Sequence, residues 1–402
     1  MMSAADPASD PTVILSYART PMGGFQGALA AVPATRLGAA AIRAAVERAG
    51  IAPADVERAY MGCVLSAGLG QAPARQAALH AGLPQSVEAT TVNKMCGSGM
   101  KAAMMAADTL AAGSCDVIVA GGMESMSNAP YLMTKHRAGA RIGHDTVYDH
   151  MMLDGLEDAY EPGRAMGTFA EDSAREYQFT RQAQDDFAIE SLTRAQAAQA
   201  SGAFDREIVA VEVVGRKGSV TVDRDEQPAK GDVARIPTLK AAFAKEGTIT
   251  AANASSISDG AAALVLTRAS VAEARGLTPI ARIVAHAAHA RAPAQFTTAP
   301  VAAVRSVLDQ AGWSVDDVDL FEINEAFACV AMIAMHDLKI GHDRVNVHGG
   351  ATALGHPIGA SGARVLATLL SALEQRDARR GVATLCIGGG EATAMAVERI
   401  GA

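Results

Sequence analysis

Apolar and polar positions follow two patterns along the chain. Asp116-Val-Ile-Val-Ala-Gly-Gly122 and Val382-Ala-Thr-Leu-Cys-Ile-Gly-Gly-Gly390 are apolar runs ending in glycine, the pattern of strands covered on both faces. Val13 to Ser16, Ala59 to Val64 and Ala262 to Thr267 read as further strands, and a Pro/Gly turn region fills Pro21 to Gly27. Leu37 to Ala49 reads as a helix stopped by Gly50, and Lys101 to Ala112 is a run of strong helix formers. Ala49-Gly50 and Asp55-Val56 return as Ala311-Gly312 and Asp317-Val318 at one constant offset. With the two glycine-terminated runs, this predicts an internal duplication of a βαβ-rich unit, with a site between two packed copies.

The segment from Ser127 to Ser256 fits neither copy. It carries its own helix, Arg181 to Ala200, and a charged strand-like stretch with a glycine turn, Val211 to Asp225. It reads as an insertion lying over the site. The expected organisation is therefore 1–126 with 257–278 as one half, 127–256 as the insertion, and 279–402 as the second half.

Composition narrows the function. A net charge of −8 without a compensating basic run argues against nucleic acid as a partner. No apolar run is long and charge-free enough to predict a membrane helix. Five scattered cysteines with no CxxC pair suit neither a disulfide framework nor a zinc or other metal site, and point to a reducing compartment. The start, Met-Met-Ser-Ala-Ala-Asp-Pro, lacks the basic and apolar regions of a signal peptide, so a cytoplasmic location is expected.

The chemistry centres on Thr91-Val-Asn-Lys-Met-Cys-Gly-Ser-Gly-Met100. Cys96 is expected at a strand-to-helix turn, where unpaired N–H groups and the helix dipole lower a thiol pKa and favour the nucleophilic thiolate. A lone cysteine is more often a small buried hydrophobe, so the reading needs a base and an oxyanion site elsewhere. His356 sits between Gly355 and Pro357 in a glycine-dense stretch, Gly349 to Gly362, read as a loop leading into a helix from Ala363. His348 nearby is read as structural. Cys386-Ile-Gly-Gly-Gly390 puts a second thiol at a strand end, before backbone N–H groups able to bind an oxyanion. Asn324, in Phe321-Glu-Ile-Asn-Glu-Ala-Phe327, taken alone reads as a turn or cap residue. Gly97-Ser-Gly-Met-Lys-Ala102 formally fits a dinucleotide fingerprint. Its preceding segment is a poor buried strand and Asp116 begins a strand rather than ending one, so that reading is set aside.

Asn93-Lys-Met-Cys96-Gly-Ser-Gly, Asn324-Glu-Ala-Phe327, Gly355-His-Pro-Ile-Gly and Cys386-Ile-Gly-Gly-Gly, in this order, resemble the signature blocks of the thiolases. The similarity covers almost the whole chain from Val13. It implies an α/β fold, a duplicated five-layer α/β/α/β/α core with an inserted loop domain. It also implies acyl transfer between coenzyme A thioesters, with coenzyme A as co-substrate, no tightly bound cofactor, and assembly as a homodimer or homotetramer. By resemblance, Cys96 takes the acyl group, His356 accepts its proton, and Cys386 moves the α-proton of the second acetyl-CoA. Asn324 with His356, through an ordered water, stabilises the enolate, and the N–H groups of Cys96 and Gly388 hold the acyl oxyanion. Ala251 and Ser255, in Thr250-Ala-Ala-Asn-Ala-Ser255, match the stretch that meets the pantetheine arm, and Met166, Phe243, Ala326 and Phe327 match pocket positions.

The sequence departs from the short-chain pattern in two blocks. Ala165-Met166-Gly167 stands where those members have His-Met-Gly, and His348-Gly-Gly where Asn-Gly-Gly is usual. Lys230 is the candidate cation for the nucleotide. The rivals are a decarboxylating ketoacyl synthase or hydroxymethylglutaryl-CoA synthase, against which Cys386 argues, and a non-catalytic acyl-CoA binder, which would need neither Cys96 nor His356.

Overall fold

The computed structural model describes residues 10–215 and 218–401. The amino-terminal segment read above, the tip of the Val211–Asp225 turn and Ala402 lie outside these. The first copy runs β1 (Thr12–Arg19), α1 (Ala34–Arg48), β2 (Arg58–Gly62), α2 (Pro73–His80), β3 (Glu88–Val92), α3 (Ser98–Ala111) and β4 (Val117–Ser125). The intervening stretch holds α4 (Met166–Glu176), α5 (Arg181–Ser201) and a hairpin, β5 (Val211–Gly215) with β6 (Gly218–Val222). Then come β7 (Ser258–Arg268), β8 (Ala281–Ala290), α6 (Ala299–Ala311), β9 (Leu320–Ile323), α7 (Ala328–Leu338), α8 (Ile358–Gln375), β10 (Arg380–Ile387) and β11 (Glu391–Arg399).

The strands form one mixed sheet in the order β9-β10-β11-β8-β1-β7-β4-β2-β3, with a two-residue strand, Gly23–Gly24, beside β7. β2 pairs parallel with β3 and β4, and β9 pairs parallel with β10. The halves join where β1 meets β8 through only Val13↔Arg282 and Ile14↔Ala281. α3 and α8 pack against each other and α8 also packs on strands of both halves, so the two halves face each other across them. With α1 and α2 outside one half and α6 outside the other, the result is the expected five-layered α/β/α/β/α core.

The duplication is visible in detail. α1 and α6 both close on a left-handed glycine, Gly50 (φ 68°) and Gly312 (φ 67°). The short turns Pro53–Asp55 and Val315–Asp317 follow, and then the parallel strands β2 and β9, all at the offset seen in the sequence. α1 begins three residues before Leu37, because Pro33 (φ −62°) supplies the backbone entry and small residues fill the first turn without an apolar signal.

α8 corrects the sequence reading more substantially. It begins at Ile358 rather than Ala363, so Gly359 and Gly362 are helical. A Cβ at Gly362 would collide with the Met100 backbone, and one at Gly99 would lie 2.7 Å from Ala363 N. These glycines let the two central helices touch backbone to backbone, and α8 is buried throughout from Ile358 to Leu373. Each leucine buried there contributes about 1.5–3 kcal/mol.

Candidate active site

Cys96 sits in a turn between β3 and α3 that is held at both ends. Asn93 Oδ1 accepts from Met95 N (3.0 Å), Ser98 Oγ accepts from Lys94 N (2.8 Å) and donates to Met95 O (2.6 Å). Met95 is thereby kept at φ 46°, a left-handed conformation costly for a side-chain-bearing residue. Lys94 Nζ anchors the turn to Glu391 at the start of β11 (2.7 Å).

The helix-terminus expectation for this thiol is overturned. Burial pushes Cys96 up to about 11, and the nearby Glu124 charge pushes the same way. The backbone N–H groups of Gly388 and of Cys96 itself act in the opposite direction without offsetting the burial. The sulfur lies against the central apolar core and a second cluster with Val64, Leu65 and Ile358, a desolvation no sequence pattern reveals. At neutral pH Cys96 therefore rests as a thiol, and reaction as a nucleophile would need a base.

His356 holds the corresponding position in the second half. It precedes α8 by two residues, as Cys96 precedes α3, and Gly355 (φ 104°) turns the chain into it. Its N–H donates to Ser256 O (3.1 Å). Its Nδ1 lies 2.5 Å from Ser361 Oγ, whose hydroxyl donates to Pro357 O (2.9 Å). Ser361 has one proton, so its oxygen takes the Nδ1–H and Nε2 keeps its lone pair. Burial and the Arg364 charge hold the imidazole down at about 3, so it is neutral and able to accept.

Asn324 continues the β9–β10 ladder by donating its N–H to Thr384 O (3.0 Å), and its Nδ2 lies 3.5 Å from both ring nitrogens of His356. Cys386 is buried at the end of β10. Desolvation raises its thiol well above the ordinary value, and the neighbouring Cys96 and Cys329 thiols add to this. Gly388 follows, beside the Met166 sulfur.

His356 forms part of the wall of a cavity of about 410 Å³ with Met126, Met152, Leu156, Met166, Phe243, Phe327 and Ile358. Ala251 and Ser255 also line it, whereas the buried Ala326 does not; its carbonyl accepts the Ser255 N–H (2.9 Å). Beside it, sharing Ala251 and Ser256, is a smaller hollow of about 210 Å³ lined by Gln227, Lys230, Asp232 and Arg235. Lys230 is paired there with Glu226. His348 stays apart, its ring 6.0 Å from that of Phe204.

Arg235, Ser361, Arg364 and Glu322 were not singled out from sequence. Arg364 carries the one signal that could have been used, being the sole charge between Ile358 and Leu373.

Residues 12–270 match the thiolase N-terminal domain and residues 277–399 the thiolase C-terminal domain. The chain is 52% identical to acetyl-CoA acetyltransferase 2 of Arabidopsis thaliana, covering 96% of each protein. It is 50% identical to an acetyl-CoA acetyltransferase of Cupriavidus necator, over 96% of this chain and 99% of that protein. The crystal structure of Bacillus anthracis acetyl-CoA acetyltransferase superposes with a TM-score of 0.94 at 38% identity, covering 97% of this chain and 99% of that one. With both family domains matched in order, the chain is an acyltransferase of the thiolase family.

Proposed function

We propose that the protein is an acetyl-CoA C-acyltransferase, joining an acyl-CoA to acetyl-CoA by reversible Claisen condensation or cleaving a 3-ketoacyl-CoA by thiolysis, in two half-reactions through Cys96. His356 Nε2 takes the Cys96 proton. The thiolate attacks the thioester carbonyl, whose oxyanion meets the N–H groups of Cys96 and Gly388, and coenzyme A leaves with the proton from His356. In the second half, Cys386 removes the α-proton of acetyl-CoA while Asn324, with His356, stabilises the enolate oxygen. The carbanion attacks the acyl group and Cys96 departs as thiolate. A thiol with a raised pKa suits Cys386: the fraction present as thiolate is a strong base, and the α-proton it takes passes to the departing Cys96 thiolate, restoring the resting enzyme. Thiolysis is the reverse.

The coenzyme A arm runs along Ala251 and Ser255, with its nucleotide in the hollow beside Lys230 and Arg235. Residues 127–256 act as the covering domain between the two halves, and the protein works as a homodimer or homotetramer. The observation that carries the reading is that His356, 3.5 Å from the Asn324 amide, stands in a cavity wall whose apolar residues also pack around Cys96 (Met126, Ile358) and around Cys386 (Met166, Phe243, Phe327). Incubation with an acyl-CoA is expected to add one acyl mass at Cys96, and initial rates at varied substrate pairs to give parallel double-reciprocal lines. Intersecting lines with no adduct would overturn the reading. Thiolysis rates across acetoacetyl-CoA and longer 3-ketoacyl-CoA thioesters measure the acyl length the cavity takes.

A further inference from the structure

The second half of the fold buries a polar triad that its duplicate lacks. Glu322 and Asn324 lie on and just after β9, and Arg364 on α8, all three buried with Arg364 and Asn324 fully so. Counting from the matched starts of β2 and β9, Arg58 and Leu320, the partners of Glu322 and Asn324 in the first half are Tyr60 and Gly62. Counting from the starts of α3 and α8, the partner of Arg364 is Met104. The core therefore folds around the apolar version of this arrangement, and the charged one needs another reason.

Its geometry supplies one. Arg364 Nη1 donates to Glu322 Oε1 (2.8 Å), which fixes the plane of the guanidinium. Arg364 Nη2 then reaches Asn324 Oδ1 at 3.4 Å. A guanidinium only donates, so it selects the amide orientation with oxygen toward itself. The NH₂ of Asn324 is left facing His356, 3.5 Å from its ring nitrogens. A reversed amide would set two donors against each other at Arg364 and present a carbonyl, rather than a donor, toward the imidazole.

We infer that Arg364, braced by Glu322, is a positioning residue for the second half-reaction, holding the Asn324 amide so that its N–H faces the developing enolate oxygen. The inference rests on the roles proposed above for Asn324 and Cys96. It assigns Arg364 no contact with substrate, and it concerns enolate formation rather than acylation.

Arg364→Lys keeps the charge but loses the fork, so it cannot brace on Glu322 and select the amide together. The experiment follows two steps at pH 8: acylation of Cys96 by an acyl-CoA, read by intact mass, and exchange of the acetyl-CoA methyl protons with deuterated water. Arg364→Lys is expected to slow exchange on the order of 10- to 100-fold, a share of what loss of one oxyanion donor costs, and to leave acylation within about threefold. Glu322→Gln, which keeps volume and an acceptor, is expected to slow exchange less and in the same direction. In an Asn324→Ala background Arg364→Lys is expected to cost nothing further, because the residue acts through that amide. Equal losses in both steps, unchanged exchange, or additive losses in the double variant would each overturn the inference. A wild-type protein that acquires no acyl group on Cys96 would instead remove the catalytic reading beneath it.

Discussion

The two halves of this molecule share a backbone plan and, on the roles proposed above, divide the chemistry. In each, a side chain able to do chemistry stands two residues ahead of a central helix: Cys96, after the strand β3, before α3, and His356, after a short helical turn at Ala351–Leu354, before α8. In the first half the neighbouring strand end is Gly62, where a Cβ would lie 2.6 Å from Gly359 O and 2.7 Å from Gly99 N. In the second half the matching position is Asn324, with Glu322 and Arg364 behind it. Duplication supplied two equivalent turns facing one another. On the roles proposed above, divergence gave one a nucleophile in an apolar setting and the other a base and an amide in a polar one. Neither half is sufficient, which is why the site lies between them.

Breaking the division at its centre is expected to have the largest effect. Cys96→Ala should abolish acyl transfer, while Cys386→Ala should lower condensation about 10²- to 10⁴-fold and leave Cys96 able to take an acyl group. Steady-state rates with mass analysis of the protein check both. Next comes the coenzyme A arm: Arg235→Ala is expected to raise KM for coenzyme A about tenfold, the loss of one charge-assisted contact of about 1.4 kcal/mol, with kcat nearly unchanged. Gly62→Ala tests the packing that distinguishes the first half. The added methyl meets backbone rather than flexible side chains, so a loss of about 1–3 kcal/mol in stability is expected, read from denaturant midpoints.

A pH measurement sharpens the contrast between the two turns. Because burial lifts Cys96 to about 11, each unit of rising pH below that value increases its thiolate fraction roughly tenfold. Alkylation of Cys96 by iodoacetamide should therefore climb through pH 8 and 9 without a plateau. His356, held at about 3, adds no step between pH 5 and 8. A plateau from pH 6 upward would mean a standing thiolate–imidazolium pair.

Much of this was legible in the chain. The repeated Ala-Gly and Asp-Val pairs marked the duplication, and the glycines near Cys96, His356 and Cys386 marked where the chain turns, as Gly355 does at φ 104°. The sign of the Cys96 shift was not legible, since it depends on desolvation by Val64, Leu65 and Ile358 from distant segments. The start of α8 was missed because Gly359 and Gly362 break propensity for the sake of contact with α3, a tertiary demand that overrides local preference. Arg364 escaped because its meaning lies in Glu322 and Asn324, forty or so residues earlier, and a single charge in an apolar helix does not name its partners.

The account stands on the separability of the two halves' work, and a paired experiment on the two thiols tests it most directly. Cys96→Ala and Cys386→Ala proteins are each given an acyl-CoA, and each is then given acetyl-CoA in deuterated water. The Cys386→Ala protein is expected to gain one acyl group on Cys96 and to exchange no methyl protons of acetyl-CoA, whereas the Cys96→Ala protein is expected to gain none. Stoichiometric acylation of the Cys96→Ala protein, or undiminished proton exchange by the Cys386→Ala protein, would contradict the assignment of nucleophile and base.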